Sequence, residues 1–469
     1  MAGLFSSLNA SVKALTAHSR ALETTGKNLA NVNNPSYARQ RVILGDRGTV
    51  ATPHGAQSLG LEALGIQQLR DSLLDRQVSR EISLRASFES EQQGYQRAQA
   101  GLGQGIDRSN SAGGVNAAAA NGISPALDEF FNAFQSFAAS PTDAGERQGL
   151  MQKTAILMDR FHLADQRLAQ VQSDLSAQVS EDVGEANRLL STIAELNGQI
   201  GRFESGAPGS AVDLRDQRQA RIEELAAKLP IEVREAGGQV QILTKSSGGA
   251  DVLLVDLATV NGTVAFTGTQ VTAGSPATVL GLASGSMQGS LTARDGAVAT
   301  LRTDLDNLAH QMVTSVNALY NPTTLTGNFF NAAGITAGTI AIDASVTAAN
   351  LKASDGGPAG DNTVALGIAR LAQVQFSTSG PDYIDGTFGG FFSTSVSRLG
   401  QSLSAANARV DDQTNIETLV RTQRDGTSGV SLDEEMADLM KFQRSFQASS
   451  RVFTVIDELL DLVVNRLGR

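Results

Sequence analysis

Both ends of the chain carry large apolar residues at steps of seven, and this repeat limits what the chain can fold into. The repeat near the start consists of Leu8, Leu15, Leu22 and Leu29. The repeat near the end consists of Leu432, Leu439, Phe446, Phe453, Leu460 and Leu467. A step of seven residues places side chains along one helix face, on which a second helix can supercoil. We therefore predict that the two ends are helices that pair as a coiled coil, and that these ten residues form an assembly seam.

Small or polar residues interrupt both repeats at the second seam position. The first helix has Ser19 and Gly26 there, and the last helix has Ser449. Because an isolated helix of about thirty residues depends on packing an apolar stripe, such gaps predict ends that become ordered only with partners. The alternative is that both stripes pack inside one globular core, since heptads of this length are only moderately specific.

Length and charge exclude several classes of protein. A chain of 469 residues exceeds one compact core and predicts two to four domains. The net charge of -11 argues against a nucleic-acid partner, because such binding depends on clustered Lys and Arg. The alternating charges from Asp213 to Glu224 are interpreted as a solvated helix face. The absence of cysteine excludes disulfides and thiolate metal sites.

No targeting or membrane segment is predicted. The first residues lack the basic region, apolar run and small-residue cleavage site of a secretory signal. The longest uncharged stretch, Leu257 to Ala293, is rich in Thr, Gly and Ser, so it does not predict a membrane span.

Local patterns predict the order of the elements. Pro35 disfavours a helical Asn34, so the first helix should end before it. Short alternating stretches from Arg39 to Leu69 predict an extended or weakly stranded arm, and helical spacing returns from about Leu61. The absence of proline between positions 141 and 208 predicts one helix of about fifty-five residues, roughly 80 Å long. Helical spacing recurs over 291–319, and Thr339 to Asp343 is a predicted strand.

These patterns define a fold class and a domain plan. We predict a mainly α protein with inserted β-rich segments, elongated and nested, in which the two end helices enclose the inner domains. The predicted plan is an N-terminal helix and extended arm at 1–60, paired with a C-terminal helix at 426–469; a long-helix rod domain in three parts at 61–228, 288–321 and 386–425; a β-rich subdomain at 229–287; and a small mixed outer segment at 322–385.

No motif predicts an enzyme, a metal site or a cofactor. The histidines at positions 18, 54, 162 and 310 lack the spacing of metal ligands, and no phosphate-binding loop occurs. Asp382 and Asp385 are interpreted as exposed acids, because a sequence does not test the geometry of a carboxylate pair. The acids from Asp433 to Glu435 are interpreted as favouring a helix N-terminus.

The segment from Asn28 to Gln40 resembles the N-terminal signature of bacterial flagellar rod, hook and hook-associated proteins, N-x-A-N-x-x-T-P-G-Y. Asn34, Ser36 and Ala38 depart from that pattern. Residues 429–436 and 442–452 resemble the C-terminal helix of the same family, and the Tyr-x-Arg-Gln continuation favours its hook–filament junction branch over rod and hook subunits. The matching signature residues are Asn28, Ala30, Asn31, Pro35, Tyr37, Arg39 and Gln40.

The resemblance implies a structural subunit of the flagellum and no enzymatic activity. Such a subunit forms a homo-oligomeric ring, with the hook protein on one side and the second junction protein on the other. The resemblance further implies export through the flagellar type III apparatus without a cleaved signal peptide, an extracellular location, and a chaperone that binds the C-terminal helix.

Two other functions stay open from the sequence. The chain could be another axial subunit, such as a hook protein or the second junction protein. It could also be an exported enzyme built on an axial scaffold and acting on the cell wall, although no residue pattern supports catalysis.

Overall fold

The structure is a computed structural model that describes residues 2–46, 48–52, 55–58, 60–102, 122–206, 208–274, 276–322, 327–358 and 360–463. The chain divides into two compact units that alternate along the sequence. Unit 1 comprises Met1–Arg85, Val183–Gly285 and Gln413–Arg469, and unit 2 comprises Ala86–Asp182 and Ser286–Asp412. The finer domain boundaries given above stay predictions.

The first and last helices pack against each other within unit 1. Helix α1 spans Ala2–Ala30 and helix α10 spans Leu432–Asp461. The predicted pairing of the two ends is therefore confirmed. The chain turns directly after α1, as expected from the proline at position 35.

A two-stranded arm follows α1 and packs on it. Strand β1 (Gln40–Asp46) pairs antiparallel with β4 (Leu61–Gln68), and between them β2 (Thr49–Thr52) pairs with β3 (Gly55–Ser58). The weakly stranded arm predicted over Arg39 to Leu69 is confirmed. The helical spacing predicted from about Leu61 begins too early, because residues 61–68 are a strand and helix α2 is Ser72–Leu102. Pairing with β1 outweighs the helical spacing there, and Gly65 weakens a helix at this point.

One helix, α4, covers Ala144–Glu204 and has 61 residues, which corresponds to roughly 90 Å. This confirms the long helix predicted from the missing prolines. Its residues up to Asp182 belong to unit 2 and the rest to unit 1. Helix α5 (Val212–Lys228) follows in unit 1.

Two small antiparallel sheets come after α5, so the inserted β-rich segment is confirmed. The first has the order β5-β6-β7-β8 and the second the order β11-β10-β9. The strands are β5 Glu232–Ala236, β6 Gln239–Lys245, β7 Asp251–Asp256, β8 Thr259–Val260, β9 Val264–Phe266, β10 Val271–Ala273 and β11 Thr278–Val279.

Unit 2 is organised around an aromatic core. Helix α3 (Ile123–Ala139) buries Phe130, whose ring lies 5.1 Å from the ring of Phe134 and 6.3 Å from that of Phe329. The surrounding helices are α6 Ser286–Ala293, α7 Ala299–Tyr320, α8 Thr363–Arg370 and α9 Phe388–Ser428.

Two details of unit 2 differ from the sequence predictions. The helix predicted over 291–319 is divided, because α6 and α7 are joined by a π-helical turn, Arg294–Val298, in which Gly296 has non-helical backbone angles. The strand predicted from Thr339 to Asp343 is wrong: within 327–358, only an isolated bridge joins Phe330 and Ile342. Five residues of suitable composition form a strand only where a partner strand is available.

None of the helices, over the residues that the structure describes, has a stretch both long and apolar enough to cross a membrane.

Candidate assembly site

Asn28, in the last turn of α1, is the centre of a buried polar cluster in unit 1. It is 2% exposed, and its Nδ2 donates to the Gln40 carbonyl oxygen at 2.8 Å and to Glu435 Oε2 at 3.0 Å. Its Oδ1 accepts from the Tyr37 hydroxyl at 2.8 Å and from the Gln40 backbone N–H at 3.0 Å. All four hydrogen-bonding positions of the amide are therefore used. We call Asn28, Tyr37, Arg39, Gln40 and Glu435 the terminal polar cluster.

Arg39 and Glu435 join the signature segment to α10. Arg39 Nε donates to Glu435 Oε1 at 2.7 Å, and its Nη1 donates to Glu434. The Arg39 backbone N–H also donates to the Ser428 carbonyl oxygen at 2.8 Å. Glu435 is only 2% exposed, so its charge depends on these partners.

Glu435 occupies a seam position of α10, seven residues before Phe442. A polar residue at one such position can fix the register of a helix pair, because any other alignment leaves a buried charge unpaired. The sequence interpretation of Glu435 as a helix N-terminal acid is therefore incomplete. Its first-turn neighbours Asp433 and Glu434 are exposed, as that interpretation requires.

Helix α5 supports the cluster from a second side. Asp213 Oδ1 accepts from Gln40 Nε2 at 2.9 Å, and Asp216 Oδ1 accepts from the Ala38 backbone N–H at 3.3 Å and from Arg70 Nη2 at 2.6 Å. Burial raises the pKa of Asp216 to about 6, although Arg70 opposes this shift. The predicted solvated face from Asp213 to Glu224 is thus wrong for Asp216, Arg218 and Glu223, which are buried. Other elements of the fold pack over these three charged side chains and shield them from solvent.

Arg424 of α9 holds the turn that follows α1. Its Nη1 donates to Glu223 Oε1 at 2.6 Å, and its Nη2 donates to the Pro35 carbonyl oxygen at 2.9 Å. Arg70 Nη2 similarly donates to the Ser36 carbonyl oxygen at 3.0 Å. Two arginines far from the signature in sequence therefore fix its backbone.

The remaining signature residues lie at the edge of the cluster. Ala30 is exposed, and Asn31 Nδ2 donates to the Lys27 carbonyl oxygen at 2.9 Å, which closes the end of α1. The Pro35 ring is exposed although its carbonyl is bonded. Burial raises the pKa of Tyr37, so its hydroxyl stays protonated and donates to Asn28 at neutral pH.

The predicted seam residues differ in burial. The four seam leucines of α1 are half-buried, as are Leu439 and Phe453, while Leu460 is buried and Leu432 and Phe446 are exposed. Leu467 lies outside the described residues, as does the histidine at position 54. The deepest residues of α1 are instead small or polar ones, namely Ser11, Ala17, Ala21, Thr24, Thr25 and Asn28. Ala17, Ala21, Thr24 and Asn28 are separated by four, three and four residues, and this spacing was the signal for this face.

Helix α10 and the residue that follows it also carry a second heptad stripe that none of the described elements covers in the single chain. Its members are separated by three, four and three residues, and their exposed fractions range from 43% to 55%. This spacing has the form of a coiled-coil seam. We call these residues the outer stripe: Val452, Val455, Leu459 and Leu462.

The described residues contain no group of three or more His, Asp or Glu side chains placed to hold a metal ion. The site thus consists of buried hydrogen bonds, ion pairs and an exposed apolar stripe. Together with the fold, it defines a class of protein: a mainly α protein of nested units whose two chain ends are joined by buried polar contacts.

Comparison with known proteins identifies the family. Residues 114–330 match the family model of the flagellar hook-associated protein FlgK helical domain, and residues 423–467 match that of the flagellar basal body rod FlgEFG protein C-terminal segment. The chain is 26% identical to flagellar hook-associated protein 1 of Bacillus subtilis, over 100% of this chain and 99% of that protein. It is 27% identical to flagellar hook-associated protein 1 of Salmonella typhimurium, over 51% of this chain and 41% of that one.

A solved structure has the same fold. The flagellar hook junction protein FlgK from Burkholderia pseudomallei superimposes with a TM-score of 0.61 at 13% identity, covering 75% of this chain and 100% of that chain. This chain belongs to the FlgK family of flagellar hook-associated proteins. The family predicted from the resemblance is therefore confirmed, and the match over residues 423–467 supports the resemblance of the C-terminal segment.

Proposed function

We propose that this chain is a structural subunit of the bacterial flagellum that joins hook to filament, and that it assembles through its paired terminal helices. The relatives named as flagellar hook-associated proteins support the first part. The outer stripe of α10 is the observation that carries the second part, because exposed apolar side chains at heptad spacing are suited to a further helix.

One face of α10 stabilises the fold of the single chain, and the other face serves assembly. The inner face packs on α1, and Glu435 fixes the alignment of the pair through Asn28 and Arg39. The outer stripe stays free to receive the terminal helices of a neighbouring copy in a ring. The hook protein would contact the helix pairs on one side of that ring, and the second junction protein would contact them on the other side.

Export fits the same arrangement. Before assembly, the outer stripe exposes apolar surface that favours association with the wrong partner. A chaperone bound to α10 would cover it during transport through the flagellar type III apparatus, after which the subunit takes its place outside the cell. The exposed Met436 and Met440 near the start of α10 form a separate apolar surface, and flexible methionines suit a temporary contact.

The test is a double substitution in the outer stripe. Val455→Asp with Leu459→Asp should leave the α1–α10 pair intact, because both side chains point away from it, yet should abolish incorporation into the assembled structure. Circular dichroism and hydrogen exchange report the fold of the single chain. Electron microscopy of cells that make only this variant reports whether filaments attach to hooks.

The matched control is Glu458→Gln, an exposed position between the two. It should assemble as the unchanged chain does. Normal filaments in the Val455→Asp, Leu459→Asp variant would contradict assembly through the outer stripe while leaving the family membership untouched.

A further inference from the structure

Unit 1 contains a cleft of about 830 Å³ beside the terminal polar cluster. Strand β4 and the start of α2 line one part of it, and α5 with strands β5 and β6 lines another. Four arginines but only two acids, Asp75 and Glu235, are among its lining residues. A surplus of positive charge is unexpected in a chain with a net charge of -11, so the charge state of each arginine matters.

Two of the four arginines are already neutralised. Arg70 donates to Asp75 at 3.0 Å and to Asp216 at 2.6 Å. Arg215 makes two bonds to Glu204, at 2.8 and 2.6 Å. Such pairs hold the walls of the cleft together and leave little attraction for a further anion.

Arg218 is buried without an ion-pair partner among the described residues. It is 7% exposed, and its Nη1 donates only to neutral acceptors, Asn197 Oδ1 at 2.8 Å and the Gly238 carbonyl oxygen at 3.2 Å. Over the described part of the chain, no carboxylate pairs with it, and its Nε and Nη2 have no partner. Burial lowers the pKa of Arg218 to about 10, so the group is still charged at neutral pH. A buried cation without a counter-charge is unfavourable until an anion arrives.

Glu235 does not fill this role. It lines the same cleft and its negative charge attracts Arg215 and Arg218, but it is exposed and forms no ion pair with either in the described structure. At the cleft, Ile43 and Leu64 are also exposed and present apolar surface. The lining thus combines one unpaired buried cation with an apolar face.

We propose that this cleft is a binding site for an oxyanion, a carboxylate or a phosphate carried on a partly apolar body, with Arg218 as the group that receives the charge. The guanidinium fork matches both oxyanions and can donate two parallel hydrogen bonds. Arg76, exposed among the lining residues, adds attraction, and the apolar body lies against Ile43 and Leu64. The anion comes either from a free small molecule or from an acidic side chain of a second copy, and the site itself does not depend on the proposed function.

The first arm of the test uses free anions with the full chain. Inorganic phosphate and citrate are titrated by calorimetry, with chloride at equal ionic strength as the reference. Arg218→Lys keeps the charge but loses the fork, so the apparent affinity should fall about tenfold. Arg221→Gln, on the exposed side of the same helix, should leave the affinity unchanged.

The second arm asks whether a neighbouring copy supplies the anion. Sedimentation equilibrium at rising protein concentration measures self-association with and without saturating phosphate. If a second copy is the source, phosphate competes with self-association, and Arg218→Lys weakens it by a similar factor. Saturable binding of phosphate or citrate without an effect on self-association identifies a free anion as the source.

Two further variants keep the test decisive if Arg218→Lys does not fold. Glu235→Gln removes a negative charge from the cleft and should tighten anion binding, while Arg76→Gln should weaken it. The proposal is overturned if neither anion binds saturably and self-association ignores these variants. It is equally overturned if anions bind with the same affinity in every variant, because the binding site would then lie elsewhere.

Discussion

The core of unit 2 consists of buried aromatic rings, whereas the terminal helix pair of unit 1 depends on polar contacts. In unit 2, fully buried rings such as Phe130 and Phe134 pack edge to face within the single chain. In the pair, the described residues of α10 that are fully buried are only Glu435 and Leu460. Aromatic burial gives unit 2 its stability, whereas the pair gains alignment from polar contacts and leaves apolar surface uncovered. The core of unit 2 is fully packed within one chain, and the helix pair of unit 1 has apolar surface that other chains could cover.

The largest expected effect comes from breaking the aromatic core. Phe130→Ala removes a fully buried ring that contacts several other rings, and should lower the free energy of unfolding of unit 2 by about 3–5 kcal/mol. Urea unfolding combined with hydrogen exchange of α3 measures the loss. The same change at the exposed Phe446 is the control and should cost less than about 1 kcal/mol. Equal losses would contradict the contrast drawn between the two regions.

The next effect concerns the terminal polar cluster. Glu435→Ala removes one acceptor from the partly buried Arg39 and one from Asn28. The α1–α10 pair should therefore be weakened by about 2–4 kcal/mol. Hydrogen exchange of α1 and α10 amides should accelerate while that of α3 stays unchanged. Asp433→Ala, two residues earlier and exposed, should have little effect. Unchanged exchange in Glu435→Ala would show that leucine packing alone holds the pair.

A smaller effect depends on pH through Asp216. Its pKa of about 6 lies above the unfolded value of 3.8, so between pH 4 and 6 the folded state binds more protons. The stability of unit 1 should therefore fall as pH rises through this window, by about 1–3 kcal/mol. Asp216→Asn should flatten the slope in urea midpoints measured at pH 4.5 and 7, and Glu224→Gln should not. Burial raises the pKa of Asp75 as well, so part of the slope should persist. A slope identical in all three proteins would exclude Asp216 as its source.

The smallest effect is expected on the outer stripe. Val455→Ser alone should change the stability of the single chain by no more than about 0.5 kcal/mol, because its side chain contacts mainly solvent. Thermal unfolding at low protein concentration is the measurement. A loss above 1 kcal/mol would mean that this face is already packed in the isolated subunit.

The heptad repeats were sufficient to predict the end helices and their pairing, but not which residues lie deepest. Leu15 and Leu22 fit the repeat and are half-buried, while Ala17 and Ala21 are almost inaccessible. Spacing identifies a face, whereas depth depends on how closely the neighbouring backbones approach, and small side chains permit the closest approach.

The polar site was only half predictable. Resemblance pointed to Asn28, Arg39 and Gln40, but nothing local indicates that Glu435 is their partner or that Asp216 is buried beside them. Alternating charges on a helix look the same whether solvent or another helix receives them, so their burial is decided by tertiary contacts. Strand β4 was predicted only ambiguously for a related reason: its residues fit both the weakly stranded arm and a helical spacing until β1 is placed beside them.

The bond between Asn28 and Glu435 spans 407 positions of sequence, and this separation sets an order of events. During synthesis, α1 leaves the ribosome long before α10 has been made. Helix α1 therefore stays unpaired while the inner segments form. The two tails therefore meet after the inner segments. Their pairing is the step that depends on the whole chain having been made.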